Sequence, residues 1–563
     1  MTCSKRPFQL YQAGDFAAAE KSAQIALAAG ESAALLHLLG ILQCRRDALA
    51  EGIKSLERAL ALEPANPDIR IHLVRALIDS GRSAEALEQA LAPAPGPAAE
   101  PLWRVRAEAA TAAGAWGEQA IAERQADLAE TRRLLAGSPG DPQLLLRQGR
   151  LLGTLRCDGE AEAVYRRLLE DYPTNAEAIA ELGQIYDRGN RLEALAQLLA
   201  NANSAGVTDD TLAYLRALEA WRRKSLAESA RWIAKANPNR DPVRLFALAA
   251  RVADASGDCR FAMAAIAAKT AAVPERDRWL RSSLAFRESM RAIAASITPQ
   301  WAASFVPSRP GERAPPAFLI GFPRSGTTLL DTFLMGHRGV AVLEEMPLMG
   351  FVANELGPLQ RLAELDDSET EHLRALYFRH LERHVDPNFP GLVVDKMPLN
   401  TLCVPLIYRL FPEARIIFAK RHPCDCVLSG LMQNFAMNPA MASFLDPAAA
   451  ADFYDVTLDI WTKSEAVLPL AVLSVAYEDL VRSPAPILRG LIDFLGLEWS
   501  DGLLDHRPAA LRRGRISTAS YDQVGEPLND RSAGRWVNYQ EFLGPGLPLL
   551  LQWAGRLGYG VDG

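Results

Sequence analysis

An apolar run at Phe318-Leu319-Ile320 breaks into Gly321-Phe322-Pro323-Arg324-Ser325-Gly326-Thr327-Thr328 and resumes at Leu329 in a helical pattern. Residues of these types at this spacing can grip an anion. Gly321 and Gly326 let the backbone turn tightly against a ligand, and the amides of Ser325 to Thr328 point outward from a helix N-terminus. Arg324, inside the turn, can fork onto two oxygens of a phosphate or sulfate. The glycines fit the phosphate loop G-x-x-x-x-G-K-[ST], yet Thr327 stands where that loop needs its lysine and Thr328 where it needs a magnesium-binding hydroxyl. The turn therefore suits an anion of less charge than a nucleoside triphosphate.

Other groups that could do chemistry follow at intervals. Glu344-Glu345 ends a short apolar run. Lys396 ends another, Gly391-Leu392-Val393-Val394-Asp395, and Arg421 ends a third, Arg415 to Ala419, before a helical stretch that carries Ser429. Arg421 and Ser429 can converge on one anion from a strand end and the helix beside it. Adjacent side chains of a strand point apart, so only one of Glu344 and Glu345 is expected to face the ligand, and the residues themselves do not choose between them.

These groups need a sheet to aim them. Ala317 to Ile320 is apolar without alternation, as in a strand buried on both faces, and Thr328 to His337 has helical spacing. With Val340 to Leu343, Leu392 to Asp395, Arg415 to Ala419 and Val472 to Val475 separated by helical stretches, the pattern predicts an α/β domain with a central parallel sheet. Ligands of such sheets sit outside the carboxyl ends of the strands, where the loop, the carboxylates, Lys396 and Arg421 all fall.

The run P-R-S-G-T-T resembles the 5′-phosphosulfate loop of sulfotransferases that use 3′-phosphoadenosine 5′-phosphosulfate (PAPS). Arg421 with Ser429 resembles their 3′-phosphate site, and Tyr477-Glu478-Asp479-Leu480 their Y-E-D-L segment, whose tyrosine lies near the adenine. The chain as a whole is similar to bacterial tetratricopeptide-repeat sulfotransferases, and its sulfotransferase part to protein-tyrosine sulfotransferases. The resemblance implies Glu345 as the catalytic base and Lys396, in Asp395-Lys396-Met397-Pro398, as the sulfuryl-stabilising lysine. It further implies that Ser520, in Ser517 to Val524, lies at the bridging oxygen, and that Arg535, in Arg535-Trp536, reaches the nucleotide. Arg324, Ser325, Gly326, Thr327 and Thr328 would hold the 5′ end of PAPS, with no metal. The pattern departs at Gln433, where the tyrosine enzymes have a second basic residue, and the stretch from Glu355 to Pro390 matches nothing in the family.

The first half of the chain is different. Leu39-Gly40 and Leu73 are 34 residues apart, as are Gly149 and Gly183, and Gly14, Gly81 and Gly189 are each followed five residues later by alanine. That period resembles tetratricopeptide repeats, two antiparallel helices per unit. An unrelated helical solenoid is the alternative. The expected architecture is an α-solenoid of TPR-like helical repeats over 1–295, a proline-rich linker over 296–316, and a three-layer α/β, P-loop-like sulfotransferase domain over 317–563. The repeats present a concave face suited to a peptide or protein and supply no obvious catalytic group.

Composition narrows the field further. The chain has 563 residues, 49% hydrophobic and 23% charged, with a net charge of −7, which argues against nonspecific nucleic-acid binding. The run Arg512-Arg513-Gly514-Arg515 could still hold one anion. Seven scattered cysteines suit a reducing compartment, with Cys424 and Cys426 as packing thiols, and no apolar stretch is long enough to span a bilayer. Cytoplasmic residence is expected. The functional expectation is sulfuryl transfer from PAPS to a hydroxyl, with a peptide or protein tyrosine first as acceptor. A small-molecule or glycan acceptor with the repeats used for assembly, a kinase-like protein, and a non-catalytic scaffold stay open, as does a homodimer.

Overall fold

The computed structural model describes all residues except 1–4, 93–99, 113–115, 306–310, 506–527, 529 and 561–563. Ser520, Arg512 to Arg515 and the rest of the segment expected near the bridging oxygen lie outside the described residues. Compactness divides the chain into two units, 1–182 and 183–563.

The first unit consists of paired helices. Two starts show how sequence sets the repeat. Asn66 and Asp141 accept hydrogen bonds from the amides two and three residues on, with Pro67 and Pro142 at the first helical position, where the missing N–H costs nothing. The glycine that marks the 34-residue period is a helix crossing: a Cβ on Gly149 would lie 2.5 Å from the ring of Tyr165, which is 1% exposed. Together with its continuation, the array comprises seventeen helices between Arg6 and Ser296 among the described residues.

The second unit contains the later helices of the array and the sheet. Three of those helices matter below: α1 (Pro242–Ala255), α2 (Cys259–Ala271) and α3 (Arg276–Ser296). The sheet follows, with β1 (Ala317–Gly321), β2 (Val340–Glu344), β3 (Leu392–Lys396), β4 (Arg415–Lys420) and β5 (Ala471–Ala476), all parallel, in the order β2-β3-β1-β4-β5. Each expected strand is present to within a residue or two. β2 pairs with β3 and not with β1, so β3 lies between the strand of the loop and the strand of the two carboxylates. We propose 296–316 as the border at which architecture changes, because the sheet begins at Ala317.

Four helices around the sheet position the site: α4 (Thr327–Leu334), α5 (Asp367–Leu381), α6 (Pro423–Met432) and α7 (Pro447–Val467). β1 is buried along its whole length. On one face Leu319, Val394, Ile417 and Val475 pack with Leu330, Phe333 and Leu334 of α4. On the other face Phe318 meets Tyr377 of α5 and Phe411, and Phe418 stacks on Trp461 of α7 at 4.2 Å. Every residue of α6 is buried, including Cys424 and Cys426. Among the described residues no helix is long and apolar enough to cross a membrane.

Candidate active site

The loop between β1 and α4 is shaped by steric limits. A Cβ on Gly321 would lie 2.5 Å from the carbonyl oxygen of Ala419 and 2.6 Å from Ser325 Oγ, and Gly326, at φ 98°, lies under Tyr477, 2.8 Å from where its own Cβ would be. Arg324 adopts φ 75°, a left-handed conformation that a branched or bulky residue rarely holds without support. Support comes from Arg421, whose Nη1 donates to the Arg324 carbonyl at 3.1 Å. The Thr401 hydroxyl donates to the Gly321 carbonyl at 3.1 Å, tying the strand end to the segment after Lys396.

Arg324, Arg421 and Ser429 converge. Arg324 Nε donates to Ser429 Oγ at 3.0 Å, and the Arg421 guanidinium lies over the Tyr477 ring at 4.6 Å. Burial pulls the Arg324 guanidinium down to about 10, and the cations of Arg421 and Arg535 push it the same way. Three guanidiniums thus share one region. Ser325 Oγ, Arg421 Nε and Arg535 Nε are buried with no hydrogen-bond partner among the described residues. An anion on the loop would supply acceptors for the two N–H groups and offset the crowded charge, so the residues present fit a phosphate or sulfate group. Thr327 and Thr328, both buried, open α4 beside them.

The second cluster is built on Lys396, which is fully buried. Its Nζ donates to Glu345 Oε1 at 2.8 Å and lies 3.1 Å from Asp331 Oδ2 and 3.6 Å from Glu344 Oε1. Burial alone would pull the ammonium down, but Asp331, Glu345 and Glu344 together leave it raised. The sequence reading had only one of the two glutamates facing the site. Both reach Lys396. Period-two alternation holds only within a strand, and Glu345 has left β2 for φ 49°, its amide donating to the Lys396 carbonyl at 2.7 Å. Glu345 is the more exposed of the pair, 30% against 14% at the side chain.

Three carboxylates have no role assigned from the sequence. Asp331, fully buried on α4, looks like an ordinary polar position of an amphipathic helix. Asp425, in the first turn of α6, accepts from the amides of Gly534 and Trp536 at 2.7 and 2.9 Å and so holds the segment that carries Arg535. Glu478, inside Y-E-D-L, accepts from the His422 amide and from the Tyr559 hydroxyl, both at 3.0 Å. The usable signal was position: Asp425 and Glu478 each lie within a few residues of a strand end that bears a candidate ligand group.

Comparison with known proteins finds two matching regions. Residues 315–501 match the model of the sulfotransferase family and residues 45–109 a tetratricopeptide-repeat model. An uncharacterized protein of Aquifex aeolicus is 26% identical over 251 residues, 42% of this chain and 32% of that protein. Protein-tyrosine sulfotransferase 2 of Gallus gallus is 24% identical over 253 residues, 41% of this chain and 65% of that protein. The chain thus spans less than two thirds of the length of these relatives. Among solved structures, the sulfotransferase domain from the Synechococcus PCC 7002 olefin synthase aligns with a TM-score of 0.30 and 23% identity, covering 44% of this chain and 98% of that one. The chain joins a tetratricopeptide-repeat region to a domain of the sulfotransferase family.

Proposed function

We propose that the protein transfers the sulfuryl group of PAPS to an acceptor hydroxyl, a tyrosine on a peptide or protein first. The sulfotransferase domain supports sulfuryl transfer in general. The observation that carries the donor reading is the meeting of Arg324, Arg421 and Ser429 at the end of β1 and β4, near enough to the carboxylate cluster for Glu345 to act on the charge of Arg324. Tyrosine is favoured as acceptor by relatives named protein-tyrosine sulfotransferases, at 24% and 25% identity.

In this reading the acceptor oxygen attacks sulfur in line while the bond from sulfur to the 5′-phosphate oxygen breaks. Glu345 takes the hydroxyl proton, and a phenol, near pKa 10, needs less help than an aliphatic alcohol. Lys396 holds Glu345 in place and balances charge on the sulfuryl oxygens. Arg324 and the loop amides receive the leaving phosphate, the part that cationic clamps play in phosphoryl transfer. Arg421, Ser429 and Arg535 take the 3′-phosphate side, Tyr477 the adenine, and Ser520 the bridging oxygen.

The test is incubation of the protein with sulfur-labelled PAPS and cell lysate. Label on protein tyrosine is expected. Label on small molecules alone would overturn the acceptor, and the absence of both transfer and any stabilisation by 3′,5′-ADP would overturn the donor, since a ligand at a hundred times its Kd stabilises its domain by about 2.7 kcal/mol.

A further inference from the structure

The helices α1 to α3 belong to the repeat array by architecture, yet they lie in the same compact unit as the sheet. Their polar contacts with it are specific. Asp254, near the C-terminal end of α1, accepts from Arg535 Nη1 at 2.9 Å through one oxygen and from the Tyr539 hydroxyl at 2.7 Å through the other. Lys269 of α2, 3% exposed, donates to the carbonyls of Leu431 and Gln433, where α6 ends and its last carbonyls lack helical partners. Arg287 of α3 donates to Asp452 at 2.7 Å.

Two of the partners in this interface, α6 and Arg535, belong to the candidate donor site. α6 carries Ser429, and Lys269 holds its C-terminal end. Arg535 is held from two sides: the amides flanking it, Gly534 and Trp536, donate to Asp425 on α6, and its guanidinium lies against Asp254. Arg535 keeps Nε buried without a hydrogen-bond partner among the described residues, and its charge reaches Arg324. A carboxylate on Nη1 fixes the plane of the fork. It leaves another N–H edge to meet an anion.

We propose that the repeat helices are a working part of the donor site, with Asp254 a positioning residue that aims the Arg535 guanidinium at the bound nucleotide. The proposal rests on the PAPS reading above. A long arginine side chain held at one nitrogen loses its rotamer freedom before the ligand arrives, so the donor does not bear the ordering cost. The alternative role for Asp254 is competition, holding Arg535 away from the ligand, and it predicts the opposite sign.

The experiment measures 3′,5′-ADP binding by calorimetry to the full chain and to Asp254→Asn, Tyr539→Phe, Arg535→Ala and the double variant Asp254→Asn/Arg535→Ala. Loss of the charged partner is expected to weaken binding roughly ten-fold in Asp254→Asn. Tyr539→Phe, which keeps the Asp254–Arg535 pair, is expected to bind as the native chain does. The double variant is expected to match Arg535→Ala alone, because Asp254 acts through Arg535, whereas a merely structural role would add its own loss. Unchanged or tighter binding in Asp254→Asn overturns the proposal, and so does additivity in the double variant. Failure of the native chain to bind 3′,5′-ADP would overturn the donor reading itself, which separates the two.

Discussion

Replacing Asp395 by asparagine removes a carboxyl that the fold keeps protonated. Asp395 is the neighbour of Lys396 on β3 but points to the opposite face, where the Tyr377 hydroxyl donates to Oδ2 at 2.8 Å and the Asn400 amide to Oδ1 at 3.3 Å. Those bonds favour the carboxylate, but full burial outweighs them and lifts the group from 3.8 to about 7. The sign follows from proton counting. Below pH 3.8 both states hold the proton and nothing is lost. Between 3.8 and 7 the unfolded chain releases it while the folded chain keeps it, so stability falls as pH rises, and above 7 the loss is complete. From pH 5 to pH 7 this amounts to two pH units, or about 3 kcal/mol as an order of magnitude. Asparagine has no proton to release. The assay is thermal unfolding of both proteins at intervals from pH 5 to pH 8. The melting temperature of Asp395→Asn relative to the native chain should rise steadily to pH 7 and then level. A difference that stays constant across the range would mean that Asp395 titrates in the fold as it does in the unfolded chain, and the burial argument would be refuted.

Lys396→Met would leave Asp331, Glu344 and Glu345 without their shared cation, and unfolding measurements should show a loss of about 3–5 kcal/mol, part of it restored by adding Asp331→Asn. Glu345→Gln keeps an acceptor for Lys396 but no base, so kcat should fall by about 10² to 10⁴ while 3′,5′-ADP affinity measured by calorimetry stays nearly unchanged; native-like turnover would remove Glu345 from the chemistry.

β1 was readable because a strand buried on both faces favours an unbroken apolar run, as Ala317 to Gly321 shows. The loop was readable because Gly321 and Gly326 occupy places where a Cβ would strike Ala419 or Tyr477. Strand order was not, since nothing in the run Leu392 to Lys396 says that it inserts between β1 and β2. Asp254 and Arg535 lie 281 positions apart in sequence, and a carboxylate at the end of a repeat helix has the same composition signal whether it faces solvent or a guanidinium. Asp331 was missed for a related reason. Its burial is set by Lys396, 65 positions away, and not by any pattern of its own helix.

The backbone carries a signal that residue types do not. Among the described residues Arg324 and Glu345 hold positive φ at the ends of β1 and β2, against the intrinsic preference of both side chains. Each such conformation costs about 1–3 kcal/mol and persists only where surrounding contacts over-determine it. The contacts are identifiable: Arg421 donates to the Arg324 carbonyl, and the Glu345 amide donates to the Lys396 carbonyl. In each case the neighbour that relieves the strain is itself a candidate site residue, so the geometry of the loop and that of the carboxylate cluster are not independent of the groups they present. A substitution at Arg421 therefore removes a charge and loosens the turn that aims Arg324, and its effect on activity should exceed what the lost charge alone would cause; at Lys396 the acceptor is main-chain and survives substitution, so only the Nζ contact to Glu345 Oε1 is lost.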